Sequence, residues 1–120
     1  MSTTEIGKEL RKLRIDEDER LIDMAGRLDR SAAFISAVET GKKSPPAGFE
    51  DLIVNVYRLG SAAAESIRKA ADRSRKAFTV EPDNVLAKDA AGLFARRVNN
   101  LSQEDLTQIL EILTKNENKL

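Results

Sequence analysis

The side chains able to do chemistry in this chain of 120 residues are carboxylates, guanidiniums, ammoniums and hydroxyls, because it contains no His and no Cys. Without imidazole or thiol there is no Ser-His-Asp or Cys-His machinery, no disulfide and almost no route to a zinc site. The carboxylates are scattered among Lys and Arg, which is the pattern of solvated helix faces rather than of a converging acid pair. No G-x-x-x-x-G-K or G-x-G-x-x-G run is present to cradle a phosphate. The expectation is a protein that is not an enzyme, with no catalytic residues, no metal and no cofactor.

What remains is recognition. The stretch "RLIDMAGRLDRSAAFISAVETGKKSPP", Arg20 to Pro46, sets alanines and hydroxyls between Arg27 and Arg30 on one side and Lys42 and Lys43 on the other. Small side chains offer methyl contacts and single hydrogen bonds, and the flanking cations suit an anionic partner. Overall charge argues the other way: Lys and Arg total 20, Asp and Glu total 20, and neither half departs from neutrality by more than one charge. A nucleic-acid binder usually carries a basic excess. Any positive surface here must be local.

The elements that would position these residues are helices. Hydrophobic residues make up 41% and aromatics 4%, with three Pro and six Gly, a balance that favours an all-α class. Ile6, Leu10 and Leu13 recur at helical spacing, which predicts a first helix over about 4–15, capped by Thr3 or Thr4. The acidic run Asp16 to Glu19 follows. A second helix, about 20–28, places Leu21, Met24, Ala25 and Leu28 on one face. Asp29 and Arg30 turn the chain, Ser31 caps a third helix over about 32–40, and Gly41 ends it in the left-handed conformation. Pro45 and Pro46 keep the next segment out of a helix.

A fourth helix over about 49–59 carries Phe49, Leu52, Ile53 and Val56 on one stripe, and Gly60 ends it. Ser61 caps a fifth, about 62–76, with a thin face of Ala63, Ile67, Ala70 and Ala71. Phe78 and Val80 alternate with polar neighbours, the period of a short strand. A sixth helix, about 83–99, has the stripe Leu86, Ala90, Leu93, Phe94 and Val98. "SQED" opens a seventh, with Ser102 and Asp105 in capping positions and Leu106, Ile109, Leu110 and Leu113 on its face. The tail 115–120 is polar and is expected to fray. Two units are expected: residues 1–75, five helices, and residues 76–120, a strand and a two-helix hairpin.

The run Met24-Ala25, Leu28, Ser31, Ile35, Ser36, Val38, Glu39, Gly41, Lys42, Pro45 resembles the helix-turn-helix of the lambda-repressor-like regulators, the Cro/XRE family. The resemblance covers residues 4–75. It implies double-stranded DNA as partner, with the third helix in the major groove. It also implies that Arg14 of the first helix pairs structurally with Glu39. The packing logic agrees, since such a unit needs one face of the third helix on the second and the other face free. Ile35 and Val38 define the inner face. Ala33, Ser36, Ala37 and Thr40 lie opposite, and Ala32 sits in the first turn. Members of the family often begin the second helix with a phosphate-binding Gln, where this chain has Leu21. Relatives also use Gln at positions matching Ala32, Ala33 and Ala37.

An outer face without Arg, Lys, Asn or Gln forms no bidentate contacts to guanine or adenine. It can press methyl groups on thymine methyls and make single hydrogen bonds through Ser36 and Thr40. Affinity is then expected from phosphates, held by Arg27, Arg30, Lys42, Lys43 and the amide end of the third helix at Ser31.

The segment "LFARRVNNLSQEDLTQILEIL" is similar, more loosely, to the tail of a mobile-element and toxin–antitoxin-like subgroup of these regulators. That likeness implies a repressor, with a partner protein such as a toxin or a metallopeptidase encoded nearby. Phe78, Val80, Leu86, Leu93, Phe94, Leu106, Ile109, Leu110 and Leu113 make stripes too large for one hairpin to hide, and a homodimer interface is expected there. The reading is a repressor binding an operator as a homodimer. The rival is an antitoxin-like interaction module whose hairpin binds a partner, with DNA binding as autoregulation. The N-terminus lacks a secretory pattern and no apolar run reaches membrane-spanning length, so a cytoplasmic protein without a membrane partner is expected.

Overall fold

Three connected helices take shape around one close approach. In the computed structural model, which describes residues 3–117 and the side chains of 3–115, α1 spans Glu5–Asp16, α2 Leu21–Leu28 and α3 Ala32–Glu39. Thr4, rather than Thr3, caps α1: its Oγ1 accepts from the Gly7 amide at 3.1 Å. The Thr4 amide and hydroxyl both donate to the Glu39 carbonyl, at 3.0 and 3.1 Å. The amide end of α1 therefore sits on the carbonyl end of α3, where opposite partial charges meet. Gly7 makes the approach possible, because a Cβ there would lie 2.5 Å from the Glu39 carbonyl oxygen.

α2 packs on α3 across the turn Asp29–Ser31. Asp29 holds the left-handed conformation at φ 55°, and Ser31 Oγ accepts from the Phe34 amide at 3.0 Å. Gly41 follows α3 at φ +81°, where glycine avoids the Cβ clash other residues would meet. α4 spans Phe49–Tyr57 and α5 Ser61–Arg73; α5 packs against both α1 and α4. The shared core contains Ile6, Leu10, Met24, Leu28, Ile35, Val38 and Ile53, all almost fully buried. Burying side chains of this kind stabilises by about 1.5–3 kcal/mol each.

Three local expectations fail in this unit. Gly60 does not end α4: Arg58 takes the left-handed turn at φ 51°, and Gly60 is instead the N-cap of α5. Ser61 is accordingly the first helical residue rather than the cap. The inner face of α5 uses Ala64 in place of Ala63, which is exposed. Ala64, Ile67 and Ala71 lie three and four apart, so the stripe keeps Ile67, Ala70 and Ala71 but starts one residue later.

The chain divides into two compact units, Met1–Phe78 and Thr79–Leu120, three residues later than the expected boundary at 75. Residues just past α5 belong to the first unit because they are tied into it: Ser74 Oγ accepts from the Ile6 amide at 3.2 Å, and Arg75 reaches Pro45.

The second unit holds α6 (Val85–Arg97), a short 3-10 turn (Val98–Asn100) and α7 (Gln103–Glu117). Asn84 caps α6 by accepting from the Ala87 amide at 2.8 Å, and Ser102 Oγ accepts from the Asp105 amide at 3.0 Å. The strand expected at Phe78–Val80 is absent, and no strand occurs among the described residues. An extended segment without a neighbouring edge has nowhere to send its ladder hydrogen bonds. Residues 115–117 of the tail expected to fray continue α7, and the tail from residue 118 lies outside the described residues.

Candidate nucleic-acid interface

α3 is sorted into two faces by its packing. Ile35 and Val38 are fully buried, whereas Ala33 and Ser36 are exposed and Ala37 and Thr40 half-buried. Thr40 spends its hydroxyl proton on the Ser36 carbonyl at 3.0 Å. Ser36 Oγ has no hydrogen-bond partner among the described residues, so it is the side-chain donor this face has free. Ala32 does not stand clear of the domain: it packs, half-buried, on the core. Leu21 does the same at the start of α2 and presents its side chain to the core rather than outward.

Charge is also sorted. Arg27, expected at phosphate, is already engaged: its guanidinium donates to Glu17 and Glu19, each at 2.9 Å, and stacks 4.0 Å over the Tyr57 ring. Tyr57 in turn donates to Glu19 at 2.7 Å. Burial and then Glu19 push the tyrosine hydroxyl well above its ordinary range. Arg27 therefore belongs to a partly exposed cluster that ties α2 to α4, and it leaves the set of free cations.

Arg30, Lys42 and Lys43 have no ion-pair partner among the described residues. Arg30 folds back on the end of α2 and donates to the Asp29 carbonyl at 2.9 Å, with the Asp29 carboxylate as its sequence neighbour. Lys42 and Lys43 are exposed at the other end of α3. The Lys43 ammonium stands 5.5 Å from the centroid of the Phe34 ring, which meets Phe49 edge-on at 5.6 Å. Most other cations of this unit, among them Arg11, Arg14, Arg20, Arg68, Arg73 and Arg75, are matched to carboxylates. Among the described residues, a chain of zero net charge thus leaves unpaired positive charge at both ends of one helix, and at Lys8, Arg58 and Lys76 elsewhere in this unit.

Arg14 and Glu39 form an ion pair inside the domain. Arg14 Nη1 and Nη2 both reach the carboxylate, the second at 3.2 Å, and Nη1 also touches Met24 Sδ at 3.4 Å. Glu39 is 3% exposed, and Arg11 adds a partner at 3.5 Å from its solvent side.

The residues expected at an interface in the second unit have an unusual setting: no described side chain from 79 to 115 is buried. Phe78, Val80, Leu86, Leu93, Phe94, Leu110 and Leu113 are exposed, Leu86 at 79%, while Leu106 and Ile109 are half-buried. Of the stripe expected along α6, Val98 is half-buried just past the helix end, but Leu86, Ala90, Leu93 and Phe94 are exposed, and Ala87, Ala91 and Gly92 are half-buried in their place. Along α6 small side chains take the sheltered positions and bulky ones stay outside.

Sequence reasoning missed Phe34, the Arg27–Tyr57 cluster and Arg75. Phe34 could have been found, since it lies four residues before Val38 and so beside it on the wheel. The other two join residues about 30 apart and carry no spacing signal. No described helix is long and apolar enough to cross a membrane. Among the described residues no group of acids converges as a metal site. No protein-family model, curated protein or solved structure matches the chain.

Proposed function

We propose that the protein is a sequence-specific DNA-binding regulator, a repressor that holds an operator as a homodimer, with α2, the turn and α3 acting as a helix-turn-helix. The observation that carries this reading is the sorting of α3: an inner face locked into the core, an outer face of Ala33, Ser36 and Ala37, and unpaired Arg30, Lys42 and Lys43 at its two ends. The cations supply phosphate contacts that set register but carry no sequence information. The outer face reads thymine methyls, with Ser36 adding one hydrogen bond. Each absent bidentate pair forgoes about 1–3 kcal/mol of discrimination. Two copies on adjacent half-sites and the deformability of the DNA supply the rest.

α6 and α7 serve as the helical hairpin that joins the copies, through Leu86, Leu93, Phe94, Leu110 and Leu113. The charge of α7 suits a two-fold antiparallel match: Glu104 and Asp105 lie in its first turn and Lys115 in its last. Reversed against itself, Lys115 of one copy lies toward Glu104 and Asp105 of the other, although Glu117 shares its turn.

Selection of bound duplexes from a random pool tests the reading, followed by salt titration on the selected site. A site with two-fold symmetry is expected. Changing Lys42 and Lys43 together to Ala should lower the dependence of log K on log salt by about two units, near 0.9 per lost phosphate contact. An unchanged slope would place the loop away from DNA.

The exposed apolar residues of the second unit support a second reading, an antitoxin-like module in which this surface covers a protein encoded nearby, such as a toxin or metallopeptidase. Stoichiometric binding of that protein by a full-length monomer would favour it.

A further inference from the structure

The loop between α3 and α4 is held at both ends, and its far anchor is Arg75, just beyond α5. Arg75 Nε donates to the Pro45 carbonyl at 2.9 Å and Nη2 to the Pro46 carbonyl at 2.7 Å. Nη1 and Nη2 also grip the Glu50 carboxylate at 2.8 and 2.5 Å, with Asp72 at 3.3 Å on the outer side. The Arg75 side chain is 10% exposed, so this is an enclosed clasp rather than a surface pair. At the near end, the Lys43 amide donates to the Ala37 carbonyl at 3.1 Å and its ammonium rests over Phe34. Two consecutive prolines leave that part of the loop without amide donors of its own. The Pro46 carbonyl also accepts from the Phe49 amide at 3.1 Å, and the planar fork of one arginine reaches both proline carbonyls and a carboxylate together.

The unpaired lysines of the DNA reading stand on this loop. A loop already ordered loses little freedom when it meets its ligand, whereas a slack one must be ordered on binding. We propose that Arg75 is a positioning residue for DNA: it touches no phosphate, and by holding Pro45 and Pro46 it fixes where Lys42 and Lys43 meet the backbone. The inference rests on the DNA-binding reading above.

The test compares full-length wild type, Arg75→Lys, the Lys42→Ala/Lys43→Ala pair and the combined triple variant. Each is titrated against one mixed-sequence duplex at several salt concentrations, with folding checked by circular dichroism. Lysine keeps the charge but cannot reproduce the fork. Arg75→Lys should weaken binding about tenfold, the effect of losing one or two phosphate contacts at moderate salt, and should lower the salt slope by about one unit. In the variant lacking Lys42 and Lys43, the same change should cost nothing further, because interacting residues are non-additive. A merely structural arginine would leave the slope unchanged and cost the same in both backgrounds, which would overturn the proposal. Should Arg75→Lys fail to fold, Glu50→Gln loosens the same guanidinium and carries the same comparison. A wild type that binds no duplex, or a lysine pair whose removal changes neither affinity nor slope, would instead remove the DNA reading beneath it.

Discussion

Ala33 and Ile35 are two residues apart on α3 and face opposite surroundings, the one solvent and the other the core. Ala33→Glu should leave the melting curve nearly unchanged and abolish DNA binding, because a carboxylate would meet phosphates and base acceptors. Ile35→Glu should unfold the first unit by placing an unpaired charge where no water reaches it. Thermal denaturation with gel-shift binding separates the two, and the reverse pattern would invert the face assignment. Arg14→Ala strands a Glu39 that is 3% exposed, with Arg11 as its remaining partner at 3.5 Å. Breaking a buried pair costs about 3–5 kcal/mol, against about 0–1 for an exposed one. The lower end of the buried range is expected in urea denaturation, since Arg11 can swing inward. A loss below roughly 1 kcal/mol would mean that Arg11 replaces it fully.

The elements are joined by a few such ties. Gly7 lets α1 rest on α3, Tyr57 and Arg27 join α4 to α2, and Arg75 with Glu50 joins α4 and the preceding loop to the end of α5. The last tie gives a pH dependence with a definite sign. The hydrogen bond from Arg75 holds the Glu50 carboxyl below its ordinary range, against the opposing effect of burial. A carboxylate depressed in the folded state contributes stability above its unfolded pKa, about 4.3 for glutamate, and loses it as pH falls through the folded value. Melting temperatures of wild type and Glu50→Gln should therefore differ near neutrality and converge below about pH 4. A gap that persists unchanged in acid would show that the Glu50 charge does not stabilise the clasp.

For the chain as a unit of function, the contrast between its two parts matters most. The first buries a continuous core, and the second buries no described side chain while exposing Leu86, Leu93, Phe94, Leu110, Ile112 and Leu113. Apolar surface of that extent on a small helical unit favours association, and the proposed dimer would cover it. Full-length protein should sediment as a dimer. The fragment ending at Phe78 should fold as a monomer and keep only weak, salt-sensitive DNA binding. A full-length monomer would leave the second unit for another partner, and a dimeric fragment would move the interface into the first.

Helices were legible in the sequence because their signals are local. Ser31, Asn84 and Ser102 accept from amides three residues on, and apolar residues recur every third or fourth place. The inner face of α3 followed from the same periodicity, as did the failure of its outer face to offer bidentate donors. Periodicity was weaker where alanine fills a stripe: in α5 Ala64 takes the place of Ala63 beside the expected Ile67, Ala70 and Ala71, and along α6 Ala87 and Ala91 are sheltered in place of Leu86 and Ala90, since a methyl group barely distinguishes adjacent faces. The pairing of charges was beyond reach, apart from Arg14 and Glu39, where family resemblance stood in for distance. Which of 20 cations remain unpaired depends on contacts between residues far apart in sequence, as Arg27 with Tyr57 or Arg75 with Glu50. Composition could say only that the charges cancel. Tertiary folding decided where they do not, because Coulomb and hydrogen-bond partners are chosen by proximity in space, and the fold alone sets that.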